Sequence, residues 1–197
     1  FHADEARRIT GTHFAGDLGS THSFVLKQPV GVVAAILPFN FPVDLLAWKI
    51  GPGLAAGCTF VIKPSEEAPL AVLEFVRAFV DAGLPPGVLN VVTGGREAGA
   101  RLVEHPDVSK IAFTGSVPPG QWIAERAART MKRLTLELGG SAPFVVFRDA
   151  DLDAAVAESA RRAFSHAGQI CIAVNRIFVQ RPLADAFIEK FAQHAHK

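Results

Sequence analysis

A cysteine and a glutamate in the second half of the sequence are the first candidates for chemistry. Cys171 lies in the run Gly168-Gln169-Ile170-Cys171, between a predicted helix and a predicted strand. A cysteine thiolate is a strong nucleophile, although a lone cysteine beside isoleucines is also commonly a small buried hydrophobic residue. Glu137 interrupts the otherwise apolar run Leu134–Leu138. A carboxylate held in an apolar site can serve as a general base, and the alternative is a solvent-facing glutamate on an edge strand.

Asn40 could complete such a site. It stands in the run Pro38-Phe39-Asn40-Phe41-Pro42, which follows an apolar strand. Its amide could cap the next helix, or it could donate a hydrogen bond to a developing oxyanion. Cys58, the other cysteine, begins an apolar strand without a polar neighbour and is predicted to be a buried core residue. The seven histidines form no HExxH motif and the cysteines form no CxxC pair, so no metal site is predicted.

Five short apolar strands alternate with helices, and this alternation predicts an α/β fold with a doubly wound parallel sheet of about five strands. The predicted strands are Val30–Leu37, Thr59–Ile62, Val88–Val92, Lys110–Phe113 and Arg133–Leu138. The helices between them are Val43–Ala56, Glu67–Ala82, Arg96–Glu104 and Pro118–Arg129. Sheets of this class bind ligands beyond the carboxyl ends of their strands. The residues expected there are Pro38–Asn40, Lys63–Glu66, Thr93–Gly95, Thr114–Ser116 and Glu137–Gly140.

The sequence on either side of this sheet follows other patterns. Beyond Gly140 a second unit is predicted, with strands Phe144–Phe147 and Arg176–Val179 and helices Leu152–Phe164 and Leu183–His196. Before Val30, the segments Ile9–Phe14 and Phe24–Lys27 alternate as strands do. We therefore divide the chain into a strand-rich segment 1–29, a sheet domain 30–139 and the start of a second α/β domain, 140–197.

Composition excludes several classes of protein. The chain has 197 residues, 49% of them apolar and 20% charged, with a net charge of +1, which is typical of a soluble globular protein. A nucleic-acid groove or a membrane surface needs clustered basic residues, so neither partner is expected. Two cysteines fit a reducing compartment, and we expect a cytoplasmic protein. The acidic N-terminus has neither an initiator methionine nor the apolar stretch of a signal peptide, so we expect the chain to begin inside a longer protein.

Five short runs, taken in order, resemble the signature motifs of the aldehyde dehydrogenase superfamily, and the resemblance covers essentially the whole chain. They are Pro38-Phe39-Asn40-Phe41-Pro42, Lys63-Pro64-Ser65-Glu66, Phe113-Thr114-Gly115-Ser116, Leu136-Glu137-Leu138-Gly139-Gly140 and Gly168-Gln169-Ile170-Cys171. The resemblance implies an NAD(P)-dependent enzyme that oxidises an aldehyde to a carboxylic acid. Cys171 would be the nucleophile, with Asn40 and the Cys171 backbone N–H holding the oxyanion. Glu137 would activate the water that hydrolyses a thioester.

The resemblance also implies a Rossmann-like NAD-binding domain. Lys63 and Glu66 would hydrogen-bond the adenosine ribose, and Ser116 would meet the pyrophosphate at a helix N-terminus. A carboxylate such as Glu66 repels a 2′-phosphate, so NAD is favoured over NADP. The alternative for Lys63 is a surface lysine whose alkyl chain covers apolar neighbours. Further cofactor contacts are implied at Ser65, Gly95, Gly115, Leu138, Pro38 and Phe39.

Two features depart from the expected patterns. The chain has no GxGxxG fingerprint. Where family members often carry a Thr-Glu pair and a valine after the serine, this sequence has Val117-Pro118-Pro119. The two prolines remove two N–H donors from the start of the helix, which changes what Ser116 and its neighbours can offer a pyrophosphate.

Family members are more than twice as long as this chain, so the resemblance implies a truncated protein whose own activity is open. Residues 1–29 would belong to the oligomerisation region of a full-length homo-oligomer, 30–139 to the NAD-binding domain and 140–197 to the catalytic domain. The aldehyde is not identified, because Phe41, Leu45 and Trp48 fit an apolar substrate entrance and ordinary core packing equally well.

Two other functions are kept as alternatives. One is a CoA-acylating semialdehyde dehydrogenase, which passes its thioester to CoA and needs no hydrolytic base, so Glu137 argues against it. The other is a nucleotide-binding or structural module without turnover, in which Cys171 is buried and inert. A catalytic Cys171 would be alkylated faster than Cys58, and this difference separates an enzyme from such a module.

Overall fold

The computed structural model describes residues 1–17 and 19–195, and these residues form helices and strands in alternation. The helices are α1 (His2–Ala6), α2 (Pro42–Ala55), α3 (Leu70–Asp81), α4 (Arg96–Glu104), α5 (Val117–Ala128), α6 (Leu152–Phe164) and α7 (Arg181–Ala195). The strands are β1 (Thr12–Ala15), β2 (His22–Val25), β3 (Val32–Ile36), β4 (Thr59–Lys63), β5 (Leu89–Val91), β6 (Val108–Gly115), β7 (Arg133–Leu138), β8 (Ala142–Val146) and β9 (Val174–Val179). The chain divides into two compact units, residues 1–137 and 138–197, called unit 1 and unit 2 below.

Unit 1 is organised around a five-stranded parallel sheet with the strand order β5-β4-β3-β6-β7. The chain runs outward from β3 through β4 to β5, then returns to place β6 on the other side of β3. This reversal is the topological switch point at which doubly wound sheets bind ligands. The predicted α/β fold with a doubly wound sheet is confirmed.

The register of the central strands brings their carboxyl ends to one level. Ile36, the last residue of β3, pairs with Lys63 of β4 on one side and with Phe113 of β6 on the other. The segments that follow these three residues therefore begin side by side at one edge of the sheet, here called the carboxyl edge.

The core of unit 1 explains why the helices lie close to this sheet. Ala34 and Ala35 in the central strand are fully buried and leave room for helices on the sheet faces. On α2, a Cβ added at Gly53 would lie 2.2 Å from Cζ of Phe60, so the helix backbone rests directly on that ring. Leu46 and Ile50 of the same helix are buried in the same cluster. This packing fixes α2, which begins just after the carboxyl end of β3.

Unit 2 is a smaller α/β arrangement. Strands β8 and β9 pair in parallel, and Val146, Val156 and Phe187 form the buried centre that joins them to α6 and α7. The carboxylate of Asp151 caps α6 by accepting from the N–H of Ala154 at 3.0 Å. After α6 the chain makes a tight turn at Ser165–Gly168 before it reaches Cys171.

The observed elements depart from the predicted ones mainly at their ends. The first strand of the sheet is shorter than predicted, and β6 is longer at both ends. Helix α3 begins at Leu70 rather than at Glu67, because the chain first makes a turn in which the Ala68 N–H donates to the Ser65 carbonyl at 3.2 Å, and Pro69 is the N-cap residue. Helix α1 was not predicted, and the two N-terminal strands form the antiparallel hairpin β1–β2. The predicted end of the last helix, His196, lies outside the described residues.

Among the residues that the structure describes, no helix is long and apolar enough to cross a bilayer. The same part of the chain contains no cluster of three or more histidine, cysteine, aspartate or glutamate side chains that could hold a metal ion.

Candidate functional site

An ion pair occupies the carboxyl end of β4. Lys63 is only 5% exposed, and its Nζ donates to the Pro64 carbonyl at 3.1 Å and to Glu66 Oε2 at 3.2 Å. The Glu66 side chain is 55% exposed, so one end of the pair is anchored in the protein and the other faces solvent. Burial of Lys63 rules out the surface lysine considered as its alternative. The pair presents a fixed carboxylate beside a fixed ammonium group.

Two effects keep Glu66 in its charged form. A hydrogen bond from its own backbone N–H lowers the pKa of Glu66, and the hydrogen bond and positive charge of Lys63 lower that pKa further. Gly95 lies beside the carboxylate, because a Cβ added there would be in van der Waals contact with Glu66 Oε1 at 4.0 Å. Ser65 belongs to the same turn, and its Oγ accepts from the N–H of Glu67 at 3.3 Å. Lys63, Ser65, Glu66 and Gly95 therefore lie together, and their contact with a cofactor stays a prediction.

The carboxyl end of β6 supplies a second polar segment. A Cβ added at Gly115 would lie 2.4 Å from Cζ of Phe113, so only glycine fits against that ring. Ser116 is the N-cap residue of α5, and its side chain makes no capping hydrogen bond. Pro118 and Pro119 follow within the first turn, so Val117 alone among the first three helical residues keeps an N–H. An anion at this helix end would be met by fewer backbone donors than an ordinary helix offers.

Asn40 follows β3 at the same edge. Its Oδ1 accepts from the N–H of Phe41 at 3.1 Å, and Phe41 rather than Asn40 is the N-cap residue of α2. The hydrogen bond sets the direction in which the side-chain amide points. Of the two residues before it, Phe39 is 45% exposed and Pro38 is half-buried.

Lys49 also lies near the carboxyl edge, and it was not predicted from the sequence to be a site residue. It lies half-buried on α2, and its Nζ donates to Oγ1 of the buried Thr114 at 2.6 Å. Burial lowers the pKa of Lys49, and the negative charge of Glu137 partly opposes that shift. The available signal was a lysine between the buried Leu46 and Ile50, in a helix whose other charged residue is Asp44 in the first turn.

Glu137 lies on β7, which is the edge strand beside β6. Its side chain is exposed, so the expectation of a carboxylate enclosed by apolar neighbours is corrected to an exposed carboxylate in the charge field of Lys49. The edge position explains the difference, because no further strand of this sheet covers that side. The structure thus brings Lys49 and Thr114 together within unit 1 and places Glu137 near enough to act on Lys49.

Cys171 belongs to unit 2, as does Leu138. Cys171 is exposed and Cys58 is buried, so the two cysteines have opposite environments. The Ala173 N–H donates to the Ile170 carbonyl at 3.0 Å, which closes a turn around Cys171. A Cβ added at Gly140 would lie 3.3 Å from the Cys171 carbonyl oxygen, so this glycine lets the two backbones approach. Cys171 is therefore not a buried core residue, and its reactivity stays a prediction.

Comparison with known proteins shows which family has these motifs. The model of the aldehyde dehydrogenase family matches residues 1–197, which is the whole chain. The chain belongs to the aldehyde dehydrogenase family.

Relatives of this aldehyde dehydrogenase chain include named enzymes. The mitochondrial succinate-semialdehyde dehydrogenase of Arabidopsis thaliana is 46% identical over 100% of the chain and 38% of its own length. The succinate-semialdehyde dehydrogenase GabD of Escherichia coli (strain K12), named with NADP(+), is 45% identical over 99% of the chain and 41% of its own length. A crystal structure of betaine aldehyde dehydrogenase from Staphylococcus aureus in complex with NAD+ is 36% identical, with a TM-score of 0.95 over 100% of the chain and 39% of that structure. The chain thus spans about two fifths of the length of these relatives.

Proposed function

We propose that this chain supplies the cofactor-binding edge and the nucleophile of an enzyme that oxidises an aldehyde to a carboxylic acid with NAD. The observation that carries the proposal is the contrast between the two cysteines. Cys171 is exposed in a hydrogen-bonded loop, as a nucleophile must be to meet a substrate, whereas Cys58 is 5% exposed in the core. Membership of the family and the motif around Cys171 support the same role.

Cys171 carries the covalent chemistry in this proposal. Its thiolate forms a bond to the aldehyde carbon, and the electron pair of the carbonyl π bond moves onto oxygen. The Asn40 amide and the Cys171 backbone N–H donate to this oxyanion, and one such donor is worth roughly 3 kcal/mol. A nicotinamide ring, when bound, would supply the acceptor for the hydride that leaves this carbon as the oxyanion re-forms the carbonyl, and Cys171 would then hold the carbon as a thioester.

Glu137 then acts as a general base. Its carboxylate takes a proton from the water that attacks the thioester carbon, the C–S bond breaks, and the carboxylic acid leaves. Exposure of Glu137 on the edge strand gives water access to it. The nearby charge of Lys49 supports placing an anionic group at this position.

The residues at the carboxyl edge fit a dinucleotide. Glu66 offers a charged, exposed acceptor for two ribose hydroxyls, and the anchored Lys63 offers a donor beside it. A 2′-phosphate would meet the negative charge of Glu66, so we favour NAD over NADP. Relatives of this chain are named with both NAD+ and NADP(+), so this choice depends on Glu66. Ser116 and the Val117 N–H are the groups at α5 that would meet the pyrophosphate.

The decisive experiment follows NADH formation with NAD and a panel of aliphatic, aromatic and hydroxylated aldehydes. Cys171→Ala should abolish the signal, whereas Cys58→Ala should retain it, because only Cys171 is exposed. NADH formation that survives in Cys171→Ala would overturn the proposal. If the chain produces no NADH, the rate of alkylation decides, because a catalytic Cys171 reacts faster than Cys58 and an aldehyde analogue protects it.

Glu137→Gln separates hydrolysis from transfer to CoA. We expect the first burst of NADH to remain and steady turnover to slow, because the base acts after the hydride has left. Loss of the burst as well would assign Glu137 to activation of the thiol. Release of an acyl-CoA in the presence of CoA, with no dependence on Glu137, would favour the CoA-acylating alternative.

The wider assignments follow from the resemblance and belong to the same proposal. Residues 1–29 would contribute to an oligomerisation region, 30–139 to the NAD-binding domain and 140–197 to the catalytic domain of a cytoplasmic homo-oligomer. The antiparallel hairpin β1–β2, with Phe14 and Phe24 exposed, supports an interface role for the first region. Analytical ultracentrifugation of the chain with and without residues 1–29 would test it.

A further inference from the structure

Three consecutive residues have a left-handed backbone just before residues 169–173, which are called the cysteine loop below. His166 has φ 53° and ψ 34°, Ala167 has φ 56° and ψ 31°, and Gly168 has φ 72°. Left-handed residues are normally single and are usually glycine, asparagine or aspartate. A histidine and an alanine in succession therefore need support from their surroundings.

That support comes from hydrogen bonds on both sides of the turn. The His166 carbonyl accepts twice from Gln169, at 3.1 Å from its backbone N–H and at 3.3 Å from its side-chain Nε2. Upstream, the Ser165 hydroxyl donates to the Arg161 carbonyl at the end of α6. Gly168 fits closely as well, because an added Cβ there would lie 3.3 Å from the Ala163 carbonyl oxygen.

The left-handed turn is joined directly to the loop that holds the cysteine. Two residues after Gln169, Cys171 sits inside the turn closed by the Ile170 carbonyl and the Ala173 N–H. The Ala173 carbonyl then accepts from the Ala142 N–H at 3.3 Å, which ties the loop to the start of β8. The loop is thus joined downstream to β8 and upstream to the left-handed turn.

We propose that the left-handed turn His166–Gly168, held by the two hydrogen bonds from Gln169, positions the Cys171 loop, so that Ala167 and Gln169 are positioning residues for Cys171. The inference rests on the proposed function in treating Cys171 as the nucleophile. Its structural part, that this turn orders residues 169–173, can be tested whether or not the chain turns over an aldehyde.

Two alanines allow a matched test. Ala167 is exposed and left-handed, whereas Ala157 is exposed and lies within the right-handed helix α6. Ala167→Val places a β-branched side chain on a left-handed residue, so amide hydrogen exchange of residues 169–173 should accelerate by at least about tenfold. Ala157→Val should leave exchange in that loop unchanged. For glycine the tolerance of the two positions should be reversed. Ala157→Gly should destabilise helix α6, whereas Ala167→Gly should be accepted because glycine readily adopts a left-handed backbone.

The remaining variants address the hydrogen bonds and the function. Gln169→Met keeps the length of the side chain without its donor and should accelerate exchange at the loop, whereas His166→Asn should preserve the turn because asparagine tolerates a left-handed backbone. In the NADH assay, Ala167→Val should lower kcat about tenfold with the KM for NAD unchanged, since a misplaced reacting group slows chemistry without touching the cofactor site.

Unchanged exchange at residues 169–173 in both Ala167→Val and Gln169→Met would overturn the inference. An equal acceleration of that loop by Ala157→Val would overturn it as well, because the effect would then be general to unit 2. Failure of the proposed function appears differently, as NADH formation that persists in Cys171→Ala while the exchange pattern stays as expected.

Discussion

The carboxyl edge of unit 1 and the cysteine loop of unit 2 are built on opposite principles. At the edge, Lys63 and Gly115 end regular strands and Asn40 comes shortly after β3, and the register of these strands brings their carboxyl ends together. In the loop, Cys171 follows a left-handed turn in which the His166 carbonyl accepts two hydrogen bonds from Gln169. The geometry of the carboxyl edge follows from a buried sheet, whereas that of the loop follows from its own backbone turn. Variants of the edge should therefore act through packing and charge, and variants of the loop through backbone order.

The largest expected effect comes from breaking the scaffold of the edge at Gly53. In Gly53→Val the new side chain would overlap the ring of Phe60, so we expect the free energy of unfolding to fall by about 2 kcal/mol. Urea denaturation measures the change. Gly139→Val is the matched control, because nothing lies within 4 Å of a Cβ at Gly139 and its unfolding curve should barely move. A similar loss in both variants would show that crowding at α2 is not the cause.

Lys49→Met tests how much the charge of Lys49, which contacts Thr114 near the carboxyl edge, contributes to stability. At pH 7 we expect a loss of about 1 kcal/mol, because the buried Thr114 hydroxyl loses a hydrogen bond from a charged donor. The pH dependence has a defined sign. Because burial lowers the pKa of Lys49, the unfolded chain holds this proton up to its ordinary pKa near 10.5 while the folded chain releases it earlier. The contribution of Lys49 to the free energy of unfolding of the wild type therefore increases with pH in the range just below 10.5.

The measurement is the free energy of unfolding in urea between pH 7 and pH 10.5. The deficit of Lys49→Met relative to the wild type should widen toward alkaline pH. Lys27→Met, at an exposed position, is the control. A constant deficit across the range would mean that Lys49 titrates alike in the folded and unfolded chains.

Glu66→Gln should have a smaller effect on stability and a larger one on cofactor choice. The pair with Lys63 is open to solvent on the Glu66 side, so less than about 1 kcal/mol of stability should be lost. Removal of the negative charge should raise affinity for NADP relative to NAD, measured by titrating each dinucleotide against intrinsic tryptophan fluorescence. The exposed neighbour Glu67, changed to Gln, should leave the ratio unchanged. An unaltered ratio in Glu66→Gln would remove the reason for favouring NAD.

The smallest effect is expected at Glu158→Gln on α6 in unit 2. Hydrogen bonds from Arg161 and Arg162 lower the pKa of Glu158 from 4.5 to about 2. The stabilisation from these contacts is present above pH 4.5 and is lost as the pH falls through about 2. Acid unfolding followed by circular dichroism should thus begin at a slightly higher pH in Glu158→Gln. Glu189→Gln, at an exposed position on α7, is the control and should match the wild type.

Sequence reasoning succeeded where contacts are local or periodic. The five strands of the sheet were found because each is a short apolar run, and Arg96–Glu104 and Leu152–Phe164 were predicted with their observed bounds. The Lys63–Glu66 contact joins residues three positions apart, so one turn of chain brings them together.

Other features could not be predicted because they depend on distant or unsignalled geometry. The contact of Lys49 with Thr114 spans 65 positions and exists only because β6 lies beside β3. The exposure of Glu137 follows from the position of β7 at the edge, which strand order decides. The left-handed backbone at His166 and Ala167 carries no local signal, since neither residue type favours it.

The placement of β6 beside β3 also determines how early the site can form during protein synthesis. Strands β3 and β4 are close in sequence and can pair as soon as both have left the ribosome, but Thr114, Gly115 and Ser116 emerge only after β4, β5 and two intervening helices. Pairing of distant segments is the slow part of folding such a sheet. A dinucleotide that needs both sides of the switch point would find no complete site on the nascent chain until β6 has docked. Under the proposed function, a bound dinucleotide would stabilise the finished domain but would not guide the early steps of its folding.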